Sequence, residues 1–218
     1  MMKTIILQFF HKDNDLGAPK ESMYQKAMPT VERYAKKYGY DYELVTEKFL
    51  PDWDAQWSPF EVLETDRWDA YDRIIVLDSD VFITEDAPDV FAKYTKFSAC
   101  REVDNPLPPS RPEFQRWGNE YFNSGVVVYT RHSIRMVRAF DVEGTRIAWR
   151  NVRPGRDQMA LNLLFDQSNG GYHRIDRKDV CFLREHDLYE APVVHVAGRC
   201  RAIYNDNISY WDEKFGVK

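Results

Sequence analysis

Arg73-Ile-Ile-Val-Leu-Asp-Ser-Asp-Val-Phe-Ile83 is the stretch on which the fold turns. Ile74 to Leu77 form an unbroken, largely β-branched apolar run, the composition of a strand buried on both faces of a parallel or mixed sheet. The run stops at Asp78 and resumes at Val81. Asp78 and Asp80 are two residues apart, so in an extended backbone both carboxylates project to one side and can share a cation. Asp-Ser-Asp is also a turn sequence, since Asp and Ser hydrogen-bond their own backbone. A turn needs only one such residue, however, and acids placed between apolar segments are costly to bury unless a cation or strong donors compensate.

Towards the N-terminus, Thr4 to Phe10 reads as a first strand and His11 to Gly17 as a polar loop. Tyr24, Ala27, Met28, Val31, Tyr34, Ala35 and Tyr38 then recur at helical spacing, with Gly39 placed to end the helix. Pro29 should start or kink one segment of it. Tyr40 to Thr46 is a second strand, Phe49 to Trp57 an aromatic, acidic linker, and Phe60 to Trp68 a helix. Strand, helix, strand, helix, strand is a Rossmann-like α/β opening, in which ligands sit beyond the carboxyl ends of the strands. Asp78 and Asp80 lie at such an end.

Towards the C-terminus, Pro88 to Tyr94 reads as a short helix and Phe97 to Cys100 as a strand. Residues 104 to 118 carry Pro106, Pro108, Pro109 and Pro112 and read as a surface loop of the kind that covers a site. In Glu120 to Thr130 a polar Asn123-Ser-Gly125 step opens an apolar strand, and Gly125 allows a ligand or backbone to come close. His132 to Val142 is helical and Asn151 to Gly155 a loop. Arg156 to Phe165 is an amphipathic helix with Asp157 and Gln158 in its first turn, broken by Gly170-Gly171. Strands follow at Val180 to Leu183 and Pro192 to Val196. Tyr210, Trp211 and Phe215 should pack back on the core.

At 218 residues the chain fits one domain. Its formal charge of −5 argues against nucleic-acid binding, which calls for a concentrated basic face. Cys100, Cys181 and Cys200 are too widely spaced for a zinc motif and odd in number, so buried thiols are expected. Thr4 to Phe10 is too short to span a membrane and lacks a cleavage site after it, so the chain reads as soluble.

Four pieces occur in order: Leu77-Asp-Ser-Asp-Val81, Tyr121-Phe-Asn-Ser-Gly-Val126, Arg156-Asp-Gln-Met-Ala-Leu-Asn162 and His195-Val-Ala-Gly-Arg-Cys-Arg201. Together they resemble the nucleotide-sugar glycosyltransferases of the GT-A fold, above all retaining glycogenin-like, galactosyl- and xylosyltransferase-like families. The resemblance spans roughly residues 3 to 201. It implies a single-domain α/β fold over 1–218 with a mixed central sheet flanked by helices, a nucleotide-binding half to about residue 100 and an acceptor and catalytic half beyond.

It further implies that Asp78, Asp80 and His195 ligate Mn²⁺ or Mg²⁺ bridging the phosphates of a UDP-sugar, with Ser79 between the two acids. Gly198 would admit the diphosphate backbone, and Arg201 falls where relatives usually place a phosphate-binding lysine. Asn123 and Gly125 resemble the segment touching the donor sugar. Asp157 and Gln158 resemble the catalytic pair beneath it, Asp157 holding a hydroxyl and Gln158 near the anomeric carbon. Gln8, Phe9 and Phe10 end the first strand where the family holds uridine. Chemistry agrees with this set: carboxylates and imidazole suit a divalent ion, and guanidinium grips phosphate bidentately. Plain readings compete, since Asp157 also fits a helix N-terminal acid and a strand-end histidine is often structural.

The implied reaction is transfer of a hexose or deoxyhexose to a glycan or glycoprotein hydroxyl with retention; inversion would need Asp157, Glu102 or Asp104 as base. Trp53, Trp57 and Trp117 read either as an acceptor platform or as core. A fainter likeness, to the N-terminal glycosyltransferase domain of chlorovirus capsid-glycan enzymes, implies a virus-encoded, soluble domain of a larger protein acting in host cytoplasm. Two rival readings use the same residues: a binding module for nucleotide-sugars without turnover, and another Asp-x-Asp metal-dependent phosphoryl enzyme.

Overall fold

A computed structural model describes residues 2–11, 21–101, 121–151, 156–168, 172–182, 190–197 and 200–217. The proline-rich segment 104–118, with the candidate bases Glu102 and Asp104, lies outside those residues, as do most of the 151–155 loop and the Gly170-Gly171 break.

The central sheet has six strands in the order β2 (Asp41–Val45), β1 (Thr4–Phe9), β3 (Arg73–Asp78), β6 (Phe122–Thr130), β5 (Ser98–Arg101) and β7 (His173–Arg174). β1 runs parallel to both β2 and β3, β6 is antiparallel to β3 and β5, and β7 is parallel to β5. β3 is therefore a central strand of a mixed sheet, with Arg73 to Leu77 all buried, as its uninterrupted apolar run requires.

Strand alternation sorts its side chains into two cores. Ile74 and Val76 pack with Ile5, Leu7, Val127 and Tyr129 against α3 (Arg131–Arg138), α4 (Val142–Trp149) and α5 (Arg156–Gln167). Ile75 and Leu77 pack with Ile6, Val126 and Val128 against α1 (Glu21–Tyr38). By the same parity Asp78 belongs to the face that α5 covers.

Helix α1 ends as expected at Gly39, whose φ of 69° suits a residue without a side chain. Pro29 lies inside α1 on its exposed face and does not divide it. Gln25, whose carbonyl a proline at 29 cannot partner, is itself an exposed residue.

Several expected elements differ. The helix placed at Phe60 to Trp68 is a 3₁₀ turn, Ala55–Phe60, followed by a single helical turn, α2 (Glu61–Glu64). Pro88 to Tyr94 forms turns. The helix after β6 stops at Arg138, and Val142 opens a separate one that the sequence reading did not separate.

Three further strands make a small second sheet, β4 (Val81–Ile83), β9 (Val193–His195) and β8 (Val180–Phe182). Two tail helices, α6 (Cys200–Asp206) and α7 (Ile208–Phe215), cover it. Phe82 is fully buried and stacks on Tyr204 at 5.2 Å and on Phe215 at 4.7 Å between ring centroids. Trp211 and Phe215 pack inward as expected, whereas Tyr210 is 54% exposed. Arg33 of α1 donates to the Phe215 carbonyl at 2.8 Å, and Lys26 pairs with Asp212, so the tail is tied to the first helix.

Cys100 and Cys181 are buried. Among the described residues no helix is long and apolar enough to cross a membrane. Because the tail rests on one aromatic stack, Phe82→Ala is expected to cost about 3–5 kcal/mol in urea denaturation. A loss below about 1 kcal/mol would show that the tail helices do not depend on it.

A candidate active site at the carboxyl ends of the central strands

A cavity of about 260 Å³ opens where β1 and β3 end. Its wall takes Phe9, Phe10 and His11 from the end of β1, and Asp78, Ser79 and Asp80 from the turn between β3 and β4. Ala55, Gln56 and Pro59 come from the 3₁₀ segment. Asn123 and Ser124 open β6, Asp157 and Gln158 start α5, and His195, Ala197 and Arg201 arrive from β9 and α6.

Asp78, Asp80 and His195 converge, with candidate ligand atoms all within 4.8 Å of one another. Nε2 of His195 lies 3.3 Å from Oδ2 of Asp78 and 3.1 Å from Oδ1 of Asp80. The other Asp80 oxygen accepts from Nη2 of Arg201 at 3.1 Å. Burial pulls the His195 imidazole toward its neutral form, but the two carboxylates outweigh it and raise its pKa well above the usual histidine value. Burial likewise pushes Asp80 up, and His195 with Arg201 more than reverses this, holding it below the usual carboxylate range. Two carboxylates and an imidazole so placed fit a divalent cation that accepts both oxygen and nitrogen.

The register of the small sheet brings these groups together. Val81 pairs with His195 in the antiparallel β4–β9 ladder, and the Val196 N–H donates to the Asp80 carbonyl at 3.0 Å.

A second group of polar residues forms the adjoining wall. The Oε1 of Gln158 accepts from Nδ2 of Asn123 at 3.0 Å and from the Ser124 N–H at 3.2 Å. A backbone N–H can only donate, which fixes the amide: oxygen toward β6, NH₂ on the opposite edge. The Ser124 hydroxyl donates to Asp157 at 3.0 Å. Burial first, and the Asp78 charge second, push the Asp157 carboxyl up to about 6, the Ser124 hydrogen bond opposing in part.

Asn162, 4% exposed, fastens this wall. Its amide accepts from the Phe122 N–H at 3.0 Å and donates to the carbonyls of Phe122 at 2.9 Å and Gln158 at 2.7 Å. Neither Ser124 nor Asn162 was assigned a role from the sequence. A polar residue on the inward stripe of a helix was the only available signal for Asn162.

The remaining candidates fall differently. Gln8 does not line the cavity: it is fully buried, donating to the Asp78 carbonyl at 3.3 Å and accepting from the Tyr42 hydroxyl at 2.9 Å. It braces the Asp78 backbone. Gly125 does not line the cavity either and stands behind Asp78 and His195. Gly198 lies outside the described residues. Trp57 is core at 1% exposure, and the Trp53 ring carries the guanidinium groups of Arg146 at 4.5 Å and Arg150 at 4.4 Å. Trp117 lies outside the described residues.

The mixed sheet with its strand-end site defines a class, the fold of GT-A glycosyltransferases. No protein-family model and no curated sequence matches the chain. A glycosyltransferase involved in the glycosylation of the major capsid of PBCV-1 is similar at a TM-score of 0.63 and 18% identity, over 95% of this chain and 99% of that one. The galactosyltransferase LgtC, in complex with donor and acceptor sugar analogs, gives 0.58 at 14% identity, over 97% and 94%. For GlyE of Streptococcus pneumoniae TIGR4 in its apo form the values are 0.56 and 15%, over 100% of this chain and 65% of that one. At these identities the likeness is one of fold.

Asp157 is expected to titrate near its raised value in ¹³C NMR of its carboxyl carbon, and to move back toward the ordinary range in Asp78→Asn, where the neighbouring charge is gone. Its stabilising contribution is full below the unfolded carboxylate pKa and declines as pH rises to about 6, because the ionised form is the one that burial disfavours. An Asp157 titration that ignored Asp78 would separate the two walls of the cavity.

Proposed function

We propose that the protein is a metal-assisted glycosyltransferase that moves a hexose or deoxyhexose from a UDP-sugar to a glycan hydroxyl with retention. The convergence of Asp78, Asp80 and His195 beside Arg201, Asp157 and Gln158 in one cavity carries this reading. The similar solved structures, a galactosyltransferase with bound sugar analogs among them, support glycosyl transfer as the class of reaction.

Asp78, Asp80 and His195 would hold Mn²⁺ or Mg²⁺. When bound, such an ion supplies positive charge opposite the diphosphate that departs. Arg201 adds a guanidinium able to grip phosphate oxygens. Phe9 and Phe10 offer apolar surface to the nucleoside, Asn123 and Asp157 polar contacts to sugar hydroxyls.

In the reaction the bond from the anomeric carbon to the phosphate oxygen breaks, the bond to the acceptor oxygen forms, and the acceptor proton passes to the departing phosphate. Gln158 carries a neutral amide whose oxygen already accepts two hydrogen bonds, so it is a poor nucleophile. This favours transfer on one face without a covalent intermediate. Asp157, with a carboxyl raised to about 6, is the candidate base among the described residues were the outcome inversion.

Release of UDP from UDP-sugars, with and without Mn²⁺, tests the assignment. Asp80→Asn is expected to lower turnover by about 100-fold or more, with the melting temperature recorded alongside. Unchanged turnover would remove the cation role, and nucleotide-sugar binding without hydrolysis or transfer would leave a binding module.

A further inference from the structure

The close approach at Gly125 is made by the cation triad itself. A Cβ built there would lie 2.1 Å from Cε1 and 2.8 Å from Nδ1 of His195, and 2.6 Å from Oδ2 of Asp78. Carbon atoms pack at about 3.5–4.0 Å, so the imidazole occupies the space a side chain would need. We infer that Gly125 is a positioning residue for the triad: the missing side chain at 125 is what lets His195 close on Asp78.

The sheet explains why the two must meet here. Leu77 pairs with Val126 in the antiparallel β3–β6 ladder, and one further step of that register sets Gly125 opposite Asp78. A directly opposite neighbour on an antiparallel strand presents its side chain to the same face at about 4.5–5.5 Å between Cβ atoms. His195 enters that place from β9 of the small sheet, held there by its pairing with Val81 and by its 2% exposure among packed neighbours. With β3 and β9 both anchored, a methyl group at 125 has to displace either the imidazole or the Asp78 carboxylate. Backbone conformation is not the reason for glycine: the positive-φ glycines among the described residues are Gly39 and Gly216. Alanine at 125 meets side chains, not forbidden dihedrals.

Gly125 also joins the two walls. Its N–H donates to Oδ1 of Asn123 at 2.8 Å, and Asn123 in turn donates to Gln158. A displacement at 125 thus acts first on the cation ligands and only through Asn123 on the sugar wall.

The inference rests on the cation site of the proposed function and is tested by Mn²⁺ binding to the full chain without nucleotide, followed by loss of the free-ion EPR signal. Wild type binds Mn²⁺; Gly125→Ala weakens this by about 10- to 100-fold, as does His195→Ala. In the Gly125→Ala/His195→Ala double variant the losses do not multiply, because the methyl then has the room the ring vacated and the half-exposed Asp78 carboxylate can turn aside. Should Gly125→Ala alone unfold the chain, the double variant folds. Equal Mn²⁺ affinity of wild type and Gly125→Ala, multiplying losses, or a double variant that stays unfolded when the single does overturns the role of Gly125 alone. Absence of Mn²⁺ binding by wild type overturns the cation site, and the inference with it.

Discussion

A carboxylate at 3% exposure, that of Asp80, is the constraint around which the site end of the molecule is built. Withdrawing a carboxylate from water carries a penalty of several kcal/mol that only close, well-aligned partners repay. Asp80 has one on each oxygen, His195 from β9 and Arg201 from α6, while its carbonyl takes the Val196 N–H. The central sheet, the small sheet and the tail are thereby made conditions of one another. Tying α7 to α1 through Arg33 and Lys26, and stacking Tyr204 on Phe82, holds Arg201 where the Asp80 charge needs it. A buried ion pair is weak evidence for net stability, and removing one partner typically costs about 3–5 kcal/mol. Its retention here is better explained by what the same atoms can bind.

Asp78 stands in a different environment from Asp80, though only a serine separates them. Parity along β3 sends Asp78 to the α5 face, and its side chain remains 47% exposed. It therefore faces both His195 and Asp157, whose carboxyl it helps to raise. The two acids of the Asp-Ser-Asp step thus stand in separate contacts: Asp80 fastens the sheets together, and Asp78 couples the Asp80–His195 wall to the Asp157–Gln158 wall. Asn162 supplies the rigidity of the second wall by bonding both the N–H and the carbonyl of Phe122, as a neighbouring strand would. Precise placement of polar groups is what such a site requires of its scaffold.

The legible parts of the fold were those in which one period dominates. β3 and β6 carry unbroken apolar runs at Ile74–Leu77 and Val126–Tyr129, and α1 carries an apolar stripe over five turns' worth of sequence, so none of the three depends on distant residues for its reading. Pro88 to Tyr94 failed for the opposite reason. Its backbone carbonyls at Phe91 and Ala92 find a distant donor in Arg73, and the carbonyl of Ala87, just before it, takes the Tyr38 hydroxyl and Lys37. The Asp89 carboxylate accepts from Tyr34 and Tyr40. With those groups satisfied from elsewhere, a helix is not needed. The helix expected to reach Trp68 is cut short similarly, since Arg138 takes the carbonyls of Val62, Leu63 and Thr65. Among site residues, the triad was legible through motif order. The burial of Gln8 against Asp78 and Tyr42, and the packing of His195 on Gly125, depend on which strands adjoin, which no local pattern records.

Charge balance gives the arrangement its internal logic. Asp78, Asp80 and Asp157, the last with its carboxyl raised to about 6, face His195 and Arg201 across one cavity, so acidic and basic groups stand opposite each other within it. A dianion entering alone would meet the two acids of the Asp-Ser-Asp step at short range and in a partly dry setting, where like charges repel strongly. A dication entering alone would compete with Arg201 for the Asp80 oxygen it already holds. Arriving as a pair, the two leave the local sum almost unchanged while offering Arg201 a phosphate in exchange for Asp80. Under the proposed function, the contacts seen among Asp78, Asp80, His195 and Arg201 are the ones that a cation and a diphosphate would exchange for their own.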